Sequence, residues 1–478
     1  MRKPTLQMGV ASLPFALCAS AALHAATVSS IDDQSALAVT IYNSNLALVK
    51  DTRKVALQKG VDALELRGVS AQLRPETALL RSTTNRSLNI LEQNFDFDLL
   101  TPQKLLEKHL GKQVKIATQN PASGVEKTRT GIILSTNAGV VVKIGDSIET
   151  NPPGRYIFDA LPANLRDLPT LSVLLNNKQS GGRELQLSYL TGGLSWRADY
   201  VAELDADDKY VDLNGWVTLS NTSGTDFPNA KLQLVAGDVN VVQDQMRRNV
   251  KYRSVAMEMS DAAPAMQEES LLEYHLYTLQ RPTDIRNQQN KQVALMSASR
   301  VPVQKALVLN GTPYYYRSSA KQIGKRMKFG VFVELENTEK NGLGMPLPKG
   351  IVRVYKRDGS NNIQFVGEDR IDHTPNKDKI TLKLGDAFDV VADKRQTNFR
   401  IDERVLGRDV FESSYEIVVS NGKKAAVDVV VREPIPGEWK ILKSSHKQQK
   451  VAANLVEWRL TVPAEEKLTL SYTSRVKF

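Results

Sequence analysis

The sequence predicts a mainly β protein, built from antiparallel sandwich domains of immunoglobulin-like type with few helices. Three observations predict it. Most of the chain alternates apolar and polar residues with period two, the spacing that lays one strand face on a core. Clusters of Asn, Asp, Gly and Pro interrupt that pattern at short intervals, as strands joined by tight turns require. Only one stretch carries a helix signature with both a start and a stop. The 478 residues are 41% hydrophobic and 24% charged, which provides for more than one core and excludes a wholly disordered chain.

The N-terminus reads as an address. Arg2 and Lys3 precede an apolar run from Met8 to Leu23, and Leu23-His24-Ala25-Ala26 ends it on small residues. This is the form of a secretory signal peptide over residues 1–26. The run is short for a membrane span and contains Pro14, so no transmembrane segment is expected after cleavage. Cys18 is the only cysteine and would leave with the leader, and Leu17 does not suit a lipoprotein cleavage site. The mature chain would then have no disulfide, no thiol nucleophile and no Cys-bound zinc. The expected compartment is the periplasm of a Gram-negative bacterium, free or associated with the outer membrane. The net charge of +10 includes Arg2 and Lys3. In that compartment a basic surface would meet anionic lipid headgroups or acidic polysaccharide, and no nucleic acid.

Residues 27–100 read as an N-terminal β domain. Leu37–Ile41, Leu46–Lys50, Lys54–Leu57 and Ala63–Leu66 alternate, with a turn at Gln58-Lys59-Gly60. Thr101-Pro102 then opens the helix, Leu105, Leu106, His109 and Leu110 share one face, and Gly111 ends it. His109 reads as a helix-end residue favoured by the dipole. Short strands follow at Gln113–Ala117, Thr130–Ser135, Gly139–Ile144 and Tyr156–Phe158. Residues 101–165 therefore resemble a small inserted barrel module of Sm- or SH3-like build, a fold that carries no function by itself.

Residues 166–242 are expected to supply central sandwich strands. Within them Leu185–Val242 reads as four strands, turned at Gly192-Gly193 and at Asn221–Gly224, with Trp196 and Trp216 as core anchors. From 243 to 272 the alternation stops, Gln, Met, Arg and Glu dominate, and Ala262-Ala-Pro-Ala265 breaks the middle. That is a linker or long loop. Residues 273–478 continue the sandwich and form a C-terminal one. A strand ending in Asn plus a turn occurs at Asn221, Asn337 and Asn421, consistent with repeated sandwich units or with ordinary strand-end chemistry.

Signals of chemistry are sparse. Outside the leader the histidines are His109, His275, His373 and His446, with no zinc spacing. Ser-x-x-Lys occurs at Ser318, Ser420 and Ser444 without its companion motifs. Asp205–Asp208 with Asp212 fails as a calcium loop, because Tyr210 stands where glycine is needed. No catalytic residue, metal or cofactor is expected. Two stretches suggest binding surfaces. Tyr314-Tyr315-Tyr316-Arg317, and Lys321–Lys328 with Lys325 and Arg326, combine aromatic rings with positive charge. That mixture suits acidic sugar polymers or lipid headgroups. His275, between Tyr274 and Tyr277, joins them as a candidate. The last strand, Leu468–Phe478, has the alternating, Phe-terminated form of an outer-membrane barrel strand. The helix, the short strands and the absent aromatic girdles argue against a barrel.

Tyr189–Tyr200, Gly215–Gly224 and Leu232–Asp238 closely resemble the bacterial family known as domain of unknown function 4139. The likeness continues through Glu273–Tyr277, Ala387–Val391 and Val431–Pro434, and so covers most of the mature chain. The N-terminal strands look like a domain often found beside it, and a related branch is named for mucoidy inhibition, which implies an envelope or exopolysaccharide connection. The family offers no catalytic residues to carry over. Its motif residues here, Gly192, Gly193, Trp196, Trp216, Asn221 and Gly224, are turn formers and core aromatics.

The functional expectation is an exported, non-catalytic envelope protein that binds or organises a polysaccharide, a lipid headgroup or an envelope protein. Two alternatives stand beside it: a hydrolase of envelope polymer using Asp199 or Asp238, and an assembly subunit docking through residues 243–272.

Overall fold

The structure, a computed structural model, describes residues 26–240 and 266–477, apart from residues 44, 85–87, 163–164, 238 and 406–407. Residues 1–25 of the expected leader and 243–265 of the expected linker lie outside the described residues. The chain is mainly β, with one α-helix among the described residues. No helix of those residues is long and apolar enough to cross a membrane. Two compact units form, one from residues up to 36 with 50–189, the other from 37–49 with 190–478.

The chain begins with β1 (Thr27–Ser29), β2 (Gln34–Tyr42), β3 (Leu46–Leu57), β4 (Gly60–Arg67), β5 (Leu79–Ser82) and β6 (Asn89–Asp96), of which residues 37–49, most of β2 and the start of β3, belong to the second unit and the rest to the first. Helix α1 (Pro102–Lys108) leads into β7 (Gln113–Gln119), β8 (Glu126–Ser135), β9 (Val141–Ile144), β10 (Ser147–Thr150) and β11 (Arg155–Ile157). Then β12 (Thr170–Asn177) and β13 (Gly181–Thr191) close the unit. A four-stranded sheet runs β1-β4-β12-β6. The parallel pair β1–β4 is pinned by buried Arg53. Its guanidinium grips Asp51 at 2.7 and 2.9 Å and donates to the carbonyls of Ser29 and Arg67, both at 2.9 Å.

Helix α1 and its strands form the expected module. Thr101 caps the helix through its hydroxyl, 3.1 Å from the Lys104 amide. His109 ends it, with Nδ1 2.8 Å from the Leu105 carbonyl and its ring against Phe158. Leu106, Ile116, Ile133 and Val142 fill the small core. The five strands run β10-β9-β8-β7-β11, and β10 and β11 do not pair, so the sheet is open and not a closed barrel. The module sits between β6 and β12, which are neighbours in the first sheet, and Leu99 bridges Arg166 across its two ends. Residues 170–189 belong to the first unit because Leu171, Val173 and Leu175 bury themselves beside β4, leaving the central sandwich to begin near residue 190.

The second unit repeats one pattern three times. Its strands are β14 (Leu194–Leu204), β15 (Tyr210–Asn221), β16 (Phe227–Ala236), β17 (Gln267–Leu271), β18 (Tyr274–Thr278), β19 (Thr283–Ile285) and β20 (Gln289–Asn310). They continue as β21 (Gln322–Glu336), β22 (Gly350–Arg357), β23 (Ile363–Ile371), β24 (Lys379–Val405) and β25 (Arg408–Asn421). The last are β26 (Val427–Pro434), β27 (Glu438–Ser444), β28 (Gln448–Ala452), β29 (Leu455–Val462) and β30 (Lys467–Lys477). Gln267–Leu271, expected within the linker, is thus a strand paired with β18.

In each repeat a strand with an asparagine at its end or just past it crosses to the other layer. β15 crosses into β16, β21 into β22, and β25 into β26. The arriving strand lies parallel to an earlier one: β16 to the 38–42 part of β2, β22 to β14, and β26 to β20. On its other side it pairs antiparallel with a following strand, β18, β23 or β29. The departing strand meanwhile pairs antiparallel with β20, β24 or β30. The internal echo is therefore architectural. It also explains why β20 and β24 are so long. Each finishes one sandwich and continues as a strand of the next, and β20 makes the change beside Arg300, whose φ of 55° bends it.

The three asparagines do the same work. Asn221 Nδ2 donates to the carbonyls of Thr225 and Ile285, Asn337 Nδ2 to Met345 and Pro375, and Asn421 Nδ2 to Ala425 and Pro463, all between 2.9 and 3.1 Å. Each Oδ1 accepts a backbone amide of its own crossover loop, from Ser223, Gly344 or Lys423. All three side chains are buried, so the full set of bonds is required of them. In the third repeat the core is a two-layer sandwich. Tyr415, Ile417, Leu470 and Tyr472 of one layer pack on Val429, Val431, Trp458 and Leu460 of the other.

Trp196 sits in the core as expected, 5% exposed. Trp216 does not. It lies opposite Asp199, one residue out of step with buried Val217 and Leu219, so the strand's period places it half-buried on the outer face.

Candidate functional site: a sealed Lys–Glu–Tyr cluster and a polar groove

Period-two placement puts two charges where apolar residues belong. On β24, Val390, Ala392 and Lys394 all face inward, while Asp393 and Arg395 face out. On β26, Val429, Val431 and Glu433 face inward in the same way. Lys394 and Glu433 are each 1% exposed and meet head-on, Nζ to Oε1 at 2.5 Å.

A 3-10 turn over Tyr314–Tyr316 roofs the pair. The Tyr315 and Tyr316 hydroxyls both donate to Glu433 Oε2, at 2.5 and 3.0 Å. Lys394 Nζ also donates to the Tyr315 hydroxyl at 2.6 Å, and it stands 3.9 Å from the centre of that ring. Tyr472 hydrogen-bonds Tyr316 at 2.8 Å, and Tyr415 holds the turn by donating to the Tyr315 carbonyl at 2.9 Å. Gly311 lets the turn come this close, since a Cβ there would stand 2.2 Å from Glu433 Oε2. Burial pushes the Lys394 ammonium below the usual lysine range, against the pull of Glu433. Burial, with the Glu433 charge beside them, raises Tyr315, Tyr316 and Tyr472 well above the usual tyrosine range, and Tyr415 goes up to about 12.

The expected aromatic–basic surface is thus divided. Tyr315 and Tyr316 are core residues, because their rings fill the sandwich end and their hydroxyls satisfy Glu433. Tyr314 alone of the three is exposed, and Arg317 is exposed beside it. Lys325 and Arg326 lie on the outer part of β21, which pairs with β24 on one side only. Positive charge and a bulge at Arg326 are how a free sheet edge avoids pairing with another chain. Nothing brings Lys325 or Arg326 to the buried pair. His275 is elsewhere again, on β18, with Nδ1 2.8 Å from Glu268.

The carboxylates named for hydrolysis fare differently. Asp199 is buried and fully engaged, accepting from Thr218 at 2.8 Å, Arg197 at 3.1 Å and Arg353 at 3.2 Å. It ties three strands together. Asp238 lies outside the described residues.

An open groove of about 420 Å³ lies on the outer face of β16, β17 and β18. Gln233, Gln267, Thr278 and Gln280 line it, together with Lys231, Arg281 and Glu269. Gln233 is already braced, donating to Thr278 and accepting from Thr40. Sequence reasoning missed this surface because its residues are scattered over 231–282 and read singly as solvated strand positions. No group of three or more His, Cys, Asp or Glu among the described residues is placed to hold a metal ion.

Fold and site together define a multi-sandwich β protein with a polar cluster at Lys394 and Glu433 walled off from solvent. Residues 185–478 match the model of a domain of unknown function (DUF4139), and the chain belongs to that family. No curated protein matches the chain.

Proposed function

We propose that the protein is exported to the Gram-negative envelope and acts there without catalysis, binding a polar envelope component, with acidic polysaccharide as the first choice of ligand. The observation that carries this reading is the groove on β16, β17 and β18. Its amide, hydroxyl and charged side chains can exchange hydrogen bonds with sugar hydroxyls, and Lys231 and Arg281 can meet carboxylates. The leader-like sequence of residues 1–26 supports the location.

The test is calorimetric titration of the mature chain with a uronate-containing polysaccharide, a neutral glycan and anionic lipid vesicles. Saturable binding of the acidic polymer is expected. Changing Lys231 and Arg281 together to Ala should weaken it by at least about tenfold, since a charge-assisted bond contributes roughly 1.5–3 kcal/mol. Absence of binding, or binding that the double variant leaves unchanged, would remove the groove from the proposal.

A further inference from the structure

Lys394 and Glu433 are arranged as the two halves of an amide. We infer that they react with each other, joining β24 to β26 through a covalent Nζ–Cδ bond inside the third sandwich. Three features of the site carry the inference.

The first is proximity without water. Amine and carboxyl face each other at 2.5 Å, each 1% exposed, and held by opposing layers of a packed core. Fixing two reactants in this way removes most of the entropic cost of bringing them together. The second is the asymmetry of the carboxylate. Oε2 already accepts two hydroxyl hydrogen bonds, from Tyr315 and Tyr316, whereas Oε1 is held by Lys394. That is the pattern needed to hold negative charge on one oxygen while the other departs. The third is the energetic direction. An ion pair removed from water carries a desolvation cost that its mutual attraction repays only in part, and a neutral amide carries no such charge.

The step balances within the cluster. Lys394 Nζ gives one proton to Oε1, which leaves a neutral amine facing a carboxylic acid. The nitrogen lone pair then attacks Cδ, and the charge that develops on Oε2 is met by the two tyrosine hydroxyls. A second proton passes from the nitrogen to Oε1, the Cδ–Oε1 bond breaks, and Oε1 leaves as water. The product is a secondary amide whose carbonyl oxygen is Oε2. No oxidant, reductant or co-reactant is needed. The aromatic walls of Tyr315, Tyr415, Tyr472 and Trp458 keep water from reversing it.

Mass spectrometry of the purified mature chain decides the matter. The intact protein is expected one water molecule lighter than its sequence, and digestion after denaturation should yield a branched peptide joining Lys394 to Glu433. Lys394→Arg should restore the full mass. Glu433→Gln should lose ammonia instead of water and reach the same final mass as the wild type. A wild-type chain at full mass, cleaved normally by trypsin after Lys394, overturns the inference whatever the variants do. So does a missing water that persists in Lys394→Arg.

Discussion

Asn221 and Asn421 make the same three kinds of hydrogen bond in two different sandwiches. Each accepts the amide two residues on, donates to the carbonyl four residues on, and donates again to a carbonyl four residues before the strand that pairs with its own. Asn337 does likewise across a longer crossover. A carboxamide is the side chain that both accepts and donates in one plane, which is why Asn stands at all three corners.

Replacing Asn421 by Ala should therefore cost about 2–3 kcal/mol, because buried carbonyls lose their donor and nothing replaces it. Asn421→Asp should be at least as costly at neutral pH, since a carboxylate cannot donate to them. Urea unfolding monitored by tryptophan fluorescence would show both, and an Asp variant as stable as the wild type would contradict the account.

Where Lys394 and Glu433 are not joined, their single replacements should be expensive. Lys394→Met leaves a buried carboxylate alone, at a cost of roughly 3–5 kcal/mol, while the double change of Lys394 to Met and Glu433 to Leu should recover much of that loss. Equal losses in the single and double variants would show that the pair does not act as a unit.

High pH should unfold the protein through its tyrosines. Tyr315, Tyr316, Tyr415 and Tyr472 hold their protons in the folded chain above the ordinary value of 10.0, with Tyr415 raised to about 12. The unfolded chain releases those protons first. Stability is therefore fully present below about pH 10 and falls as pH rises beyond it. Where Lys394 is not joined to Glu433 it has the opposite sign, because its lowered value makes its burial less costly as pH rises towards 10.5. Four tyrosines against one lysine should leave a net loss. In a spectrophotometric titration, tyrosinate absorbance from these residues should appear together with unfolding and not before it.

The α1–β11 module should be removable. Its ends meet at the Leu99–Arg166 bridge, where Arg166 also holds Glu65 and Asp96 at 2.8 and 3.1 Å. Replacing residues 101–165 with a short Gly-Ser linker should leave the β1-β4-β12-β6 sheet folded, since closing a loop across adjacent ends costs little. Loss of Arg53-dependent stability in that variant would contradict this.

The strands of this protein were legible because their alternation is regular, and the capped helix was legible for the same local reason. The short strands after it were legible from turn spacing, but a barrel was expected and the sheet is open, because local patterning does not say whether β10 meets β11. What escaped was parity. Tyr315 and Tyr316 look like surface aromatics beside Arg317, and only the inward register of Ala392 and Val431 reveals that Lys394 and Glu433 wait beneath them. Trp216 failed the other way, as a large apolar residue one step out of phase with Val217. The three asparagines were visible in sequence, but their partners at Ile285, Pro375 and Pro463 lie too far along the chain for local patterning to connect.

β20 and β24 have a mechanical consequence. Domains strung on linkers can open one at a time, like beads. Here a single length of backbone passes from one sandwich into the next, so peeling β24 from β21 also takes away the neighbour of β25. Tension or denaturant applied to any one sandwich is delivered to the next through main-chain hydrogen bonds. The second unit should yield as one body, with the stiffness of a jointless beam.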